Sequence, residues 1–146
     1  MRKLREYITV EESGLYDLKP TNKDELKRLI NRRVKEQGPN CDLNDIDVSR
    51  VKDMSALFYN SEFNGDISLW NVSKVMFMDS MFEGSEFNGD ISKWDVSDVK
   101  DMHSMFYNSS FDGDISKWNV SRVKDMSYMF VGSPLEGNEP SWYKAN

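Results

Sequence analysis

Thiol and imidazole chemistry are nearly absent from this chain. It has one cysteine, Cys41, so no intramolecular disulfide is available, and nothing calls for an oxidising compartment. Its one histidine, His103, lies between Met102 and Ser104, far in sequence from the cysteine, which argues against a zinc site. No apolar run is long enough to span a bilayer or to form a signal-peptide core; the Tyr7–Val10 stretch after the basic start is too short. No lipobox-like cysteine stands near the start, and the expected location is cytoplasmic, with no membrane partner. A basic excess is also missing. The formal charge is −6, divided as +3 over residues 1–40 and −9 over residues 41–146. An acidic body lacks the footprint for phosphate contacts, so direct nucleic-acid binding is not expected, while a basic protein surface remains a suitable partner.

What the chain has is periodicity. Trp70, Trp94, Trp118 and Trp142 recur every 24 residues, as do Phe63, Phe87 and Phe111, the serines 49, 73, 97 and 121, and the methionines 54, 78, 102 and 126. The chain divides into an N-terminal cap (1–37), four copies (38–61, 62–85, 86–109 and 110–133), and a C-terminal partial copy and lid (134–146) that keeps Gly137 and Trp142 in register. Repeats of this length cannot bury an apolar face singly and are expected to stack as a solenoid.

Within a copy, Asn64-Gly65, Asn88-Gly89 and Asp112-Gly113 predict a turn with left-handed backbone. Ile67, Trp70, Val72 and Val75 follow with the spacing of a leucine-rich-repeat strand, placing Trp70 and Val72 inward and Leu69, Asn71 and Ser73 outward. Met78, Met81 and Phe82 form a stripe at helical spacing, with Asp53, Asp101 and Asp125 placed to cap the equivalent helices. The expected fold is therefore α/β: each coil a turn, a short parallel strand and a short helix. Short strands are also predicted at Leu4–Val10 and Leu15–Leu18. An N-terminal helical cap over about 22–37 has Thr21 as N-cap and Asp24 at the capping-box position; Leu26, Leu29, Ile30 and Val34 form its apolar face, and Gly38 stops it.

The units FNGDISLWNVSKVMFMDSMF, FNGDISKWDVSDVKDMHSMF and FDGDISKWNVSRVKDMSYMF resemble the BspA-like repeat of bacterial surface proteins and mycoplasma lipoproteins, a family of unknown function. The resemblance covers about residues 40–133, and the ELKRLI cap and PSWYK tail resemble the ends of small stand-alone members. It implies a right-handed leucine-rich-repeat-like solenoid with roles in adhesion or protein binding rather than catalysis, and it carries no catalytic residue or cofactor.

No catalytic constellation stands out. The acidic columns 42/66/90/114 and 47/71/95/119 suit hydrogen bonding within turns, with calcium as the alternative. Candidate partner-binding residues are those that depart outward from the consensus. Leu69 stands where other copies have Asp45, Lys93 and Lys117, and Met76-Phe77 replaces Lys-Asp pairs. The outward face adds Asn71, Lys93, Asp95, Lys117 and Asn119, and Tyr59, Tyr107 and Tyr128 are candidate aromatic anchors elsewhere. The expected function is a non-enzymatic protein-protein interaction module, its partner another protein or, as a homodimer, a second copy. The alternatives are an inhibitor of a host defence or nucleic-acid-handling enzyme, of the kind phages and mobile elements carry, acting through its acidic surface, and a calcium-stabilised adhesin fragment.

Overall fold

The computed structural model describes residues 18–145. The strand predicted over Leu4–Val10 lies outside them, as does all but the last residue of that predicted over Leu15–Leu18. Helix α1 spans Lys23–Gln37. Its N-cap is Asn22 rather than Thr21: the Asn22 side chain accepts from Glu25 N, while Glu25 Oε1 accepts from the Thr21 amide (2.8 Å) and hydroxyl (3.0 Å). The capping pair is thus Asn22 and Glu25, one residue on from the predicted Thr21 and Asp24, and the Thr21 amide and hydroxyl hold the Glu25 carboxyl below its ordinary pKa. Gly38, at φ 93°, returns its N–H to Val34 O and ends the helix.

Beyond α1 the copies stack in register. Met54, Ala56, Phe58 and Asn60 donate their amides to the carbonyls of Phe77, Asp79, Met81 and Glu83 at 2.8–3.0 Å. Met78, Ser80, Phe82 and Gly84 do the same to the third copy, and Met102, Ser104, Phe106 and Asn108 to the fourth. Parallel bridges join Asp53 to Phe77, Phe77 to Asp101 and Asp101 to Asp125.

The expected short helix and short strand are both replaced by turns. Among the described residues α1 is the one α-helix, and no strand forms beyond isolated bridges. Over Met78–Ser85 the bonds run i to i−3 (Met81 to Met78, Glu83 to Ser80, Ser85 to Phe82), and left-handed φ at Ser80 (57°) and Gly84 (68°) interrupts any α-helix. A helix this short would leave most of its end groups unpaired. Sending alternate amides to the next copy satisfies them. In the predicted strand, Trp70 N bonds Ile67 O and Val75 N bonds Val72 O, two successive turns whose end residues face inward. The three-residue apolar spacing therefore marks turn corners.

The Asn-Gly prediction is also corrected: Asn64, Gly65 and Gly89 do not have positive φ. Glycine is required there for space. A Cβ at Gly65 would run into the Cys41 carbonyl, and Cβ atoms at Gly89 and Gly113 would lie 2.8 Å from the Phe87 ring and 2.6 Å from the Phe111 ring.

The core is a set of like-on-like columns. Phe58, Phe82, Phe106 and Phe130 stack at centroid separations of 5.4, 5.6 and 5.7 Å, and Phe63, Phe87 and Phe111 at 6.1 and 6.3 Å. Trp70, Trp94 and Trp118 are buried, and each indole donates to a carbonyl of the preceding copy: Leu43, Ile67 and Ile91. Each tryptophan thus supplies both apolar area and a lateral tie. Trp94→Phe, which keeps much of the area but leaves the Ile67 carbonyl with the Trp70 amide alone, is expected to cost about 0.5–1.5 kcal/mol for the lost bond; Trp94→Ala, which adds a cavity, about 3–5 kcal/mol. Urea unfolding of the two variants tests this order, and equal losses would show that the indole N–H contributes nothing.

α1 closes the N-terminal end of the stack. The carbonyls there that no preceding copy reaches receive lysines instead: Lys23 Nζ donates to Ser55 O (3.1 Å) and Lys27 Nζ to Leu57 O (2.9 Å). Arg33 forks onto Asp45 at 3.0 and 3.1 Å, and Leu26, Leu29 and Ile30 are buried beneath. Lys27→Met retains the stem but removes the donor, with an expected loss of about 1–3 kcal/mol. An unchanged denaturation midpoint would mean that water serves the Leu57 carbonyl equally well.

Candidate interaction surface and acidic columns

The outward face carries the candidate residues in an ordered frame. Asp or Asn precedes each turn, and its Oδ1 accepts the amide two residues on: Asp66 from Ser68, Asn71 from Ser73, Asp90 from Ser92, Asp95 from Ser97, Asp114 from Ser116 and Asn119 from Ser121. In most of these the serine hydroxyl adds a second bond of 2.6–2.7 Å. The serine hydroxyl is the main cause holding Asp47, Asp66, Asp90, Asp95, Asp114 and Asp125 below the ordinary carboxylate pKa. The residues weighed for calcium thus each commit one oxygen to a turn.

A lowered folded-state pKa contributes stability that is present above the ordinary carboxylate value and is lost as pH falls through the folded value. Ser97→Ala is expected to move the Asp95 pKa up toward its ordinary value in a carboxyl NMR titration. An unmoved Asp95 would show that Ser97 does not stabilise the carboxylate.

Leu69 is 78% exposed and Phe77 38% exposed, whereas Met76 is half-buried. Asn71, Lys93, Asp95, Lys117 and Asn119 are exposed, and inward Trp70 and Val72 are buried. Leu69 N donates to Asn44 Oδ1 of the first copy, so its backbone is held while its side chain stands out. Phe77 occupies the position at which Asp53, Asp101 and Asp125 each accept the amide two residues on. Phe77 offers the Asp79 amide no such acceptor. α1 packs on the first copy and leaves Phe77 exposed.

Beside Phe77 lies a contact that the sequence did not suggest. Asp79, in the column of Ser55, His103 and Ser127, meets Asp101 and His103, and one ligand-type atom from each lies within 4.8 Å of the others. His103 Nδ1 is 2.9 Å from Asp101 Oδ1, which also accepts the His103 amide. Burial opposes the imidazolium, but Asp101, by hydrogen bond and charge, together with Asp79 and Asp125, outweighs it and raises the His103 pKa. Burial first, then the Asp101 charge, raises that of Asp79. His103 is thus half-buried and hydrogen-bonded to Asp101 rather than freely solvated, and the contact is an ion pair when the imidazole is protonated. The legible signal was its place two residues after Asp101, where Asp125 has Ser127.

Burial keeps the Cys41 thiol above its ordinary pKa and therefore protonated. A cleft of about 710 Å³ separates α1 from residues 57–62, with Lys27, Asn31 and Lys35 on one side and Asn60, Ser61 and Glu62 on the other.

Residues 26–142 match the family described as "Mycoplasma protein of unknown function, DUF285". The chain belongs to this family. No curated protein and no solved structure matches it. Membership in DUF285 indicates no catalytic family. Among the described residues, no helix is long and apolar enough to cross a membrane.

Proposed function

We propose that this DUF285 protein is a non-enzymatic protein-binding module, built as a right-handed, BspA-like solenoid and acting in the cytoplasm. The observation that carries the reading is the pair of exposed apolar side chains, Leu69 and Phe77, in columns where the other copies carry charge. Both break a pattern that the rest of the stack keeps, and Phe77 displaces the turn-capping carboxylate that Asp53, Asp101 and Asp125 supply in the other copies. An apolar departure that is left exposed at the loss of a turn-capping bond fits a binding contact better than a packing role. Asn71, Lys93, Asp95, Lys117 and Asn119 would form the polar surround.

A second reading, an acidic inhibitor of a nucleic-acid-handling enzyme, draws on the serine-bound carboxylates that stay ionised along the stack. Binding through them would weaken steeply with salt; binding through Leu69 and Phe77 would not.

The double variant Leu69→Lys/Phe77→Asp restores the consensus charge pattern. It is expected to fold with an unchanged circular-dichroism spectrum and to lose partners captured by the parent from its source cell, about tenfold or more in affinity. A folded double variant that captures the same partners equally well would refute the patch.

A further inference from the structure

Two neighbouring columns depart from their pattern together. In the first and fourth copies they read Asp53-Met54-Ser55 and Asp125-Met126-Ser127, and the aspartate Oδ1 accepts the serine amide at 2.9 Å in both. The second copy instead reads Phe77-Met78-Asp79 and the third Asp101-Met102-His103. The carboxylate missing at position 77 thus reappears at position 79, in the same column as the imidazole of the next copy. One ligand-type atom from each of Asp79, Asp101 and His103 lies within 4.8 Å of the other two, and His103 Nδ1 is 2.9 Å from Asp101 Oδ1.

The main chain holds these three residues against one another. The amides on either side of Asp79, those of Met78 and Ser80, donate to the carbonyls of Asp101 (3.0 Å) and His103 (2.9 Å). Only side-chain torsions therefore separate the donor atoms from the spacing of about 3–3.5 Å that metal–ligand bonds of about 2.0–2.2 Å impose. A frame fixed by backbone bonds is what a metal site needs from its scaffold. All three residues are half-buried, which leaves room for water ligands. Asp53 and Asp125 add negative charge from the first and fourth copies. The acidic columns on the outward face differ in kind: they offer oxygen alone, whereas this cluster pairs oxygen with an imidazole nitrogen drawn from a neighbouring copy.

We propose that Asp79, Asp101 and His103 form a binding site for a first-row divalent cation of the Zn²⁺ type, bridging the second and third copies. One nitrogen and two carboxylate donors suit such an ion, while Ca²⁺ and Mg²⁺ take oxygen ligands. A lone histidine excludes a closed site of Cys and His ligands, as the sequence indicates, but not an open one in which three protein donors are completed by water. The bound ion ties two copies through their side chains and replaces the like-charge contact of Asp79 and Asp101 with a shared attraction. The site stands or falls independently of partner binding by Leu69 and Phe77.

The test uses the full chain, freed of metal with a chelator and titrated with zinc chloride at neutral pH. Calorimetry is expected to show one saturable Zn²⁺ per chain, with a shift of the His103 ring nitrogens in NMR and a rise in melting temperature. Asp79→Ser and His103→Ser each install the residue of the first and fourth copies, so both are expected to fold with an unchanged circular-dichroism spectrum. Each removes a ligand and is expected to weaken Zn²⁺ about a hundredfold. Asp90→Asn, on the outward acidic column, is expected to leave binding unchanged. Four results would overturn the proposal: no saturable binding at millimolar Zn²⁺; unchanged affinity in folded Asp79→Ser, which would reduce the site to an adventitious histidine contact; equal weakening by Asp90→Asn; or displacement of Zn²⁺ by an equal concentration of Ca²⁺, which would mean a general acidic surface.

Discussion

The fold depends on every copy placing its backbone amides opposite the carbonyls of the next, at a fixed offset of 23 residues, one short of the 24-residue repeat. A buried or stacked peptide group without a partner costs about as much as several good contacts return. The chain meets that condition between copies rather than within them. Regular helix and extended strand are consequently scarce in a structure whose backbone is nevertheless well bonded. α1 is the exception because it stands at the end of the stack, where a helix satisfies its own backbone and can spare lysine side chains for its neighbour.

Fixed register makes residue columns the unit of sequence choice. Once equivalent residues lie one above another, a side chain must tolerate its own kind or fit its neighbour in the column. Flat rings stack nearly parallel, at interplanar angles of 3°, 2° and 8° along Phe58, Phe82, Phe106 and Phe130. Where like on like fails, the column alternates. Positions 60, 84, 108 and 132 read Asn, Gly, Asn, Gly and all have positive φ; a Cβ at Gly84 or Gly132 would meet the side-chain oxygen of Asn60 or Asn108. One property, left-handed backbone, is thus shared by two residue types, and crowding between them keeps asparagine from every copy.

Burial was legible in the sequence and local conformation was not. The Trp, Phe and Met columns are inward because their period exceeds any local motif and survives changes in the polar residues between them. Spacings of three and four, by contrast, suit a helix and a chain of turns equally, since both bring i and i+3 to one side. The choice between them depends on where alternate amides go, and that is a property of neighbouring copies. Two local signals were nevertheless present: the Asn/Gly alternation at positions 60 to 132, which marks left-handed residues, and the recurrent Asp/Asn-apolar-Ser triplet, which marks each bend. The Asn64-Gly65 pair misled because glycine is called for by two different constraints, backbone sign and lack of room, and the dipeptide does not distinguish them. Leu69 and Phe77 were legible because they break a column, while the Asp79–Asp101–His103 contact was not, since it requires the copies to be laid side by side.

The same column logic limits where recognition can reside. Inward positions are committed to packing, and the carboxylates that begin each bend are committed through one oxygen to a serine or a backbone amide. What remains free to vary without disturbing the stack is the outward residue between two bend-forming ones, and the end of the stack itself. Leu69 sits at such an outward position, between Ser68, which Asp66 holds, and buried Trp70, and Tyr128 sits at the end. Substitution at either changes the surface presented to a partner while leaving the bonds that set the register intact. A repeat built this way separates the residues that fold it from those available for binding, and the departures concentrate on the second set.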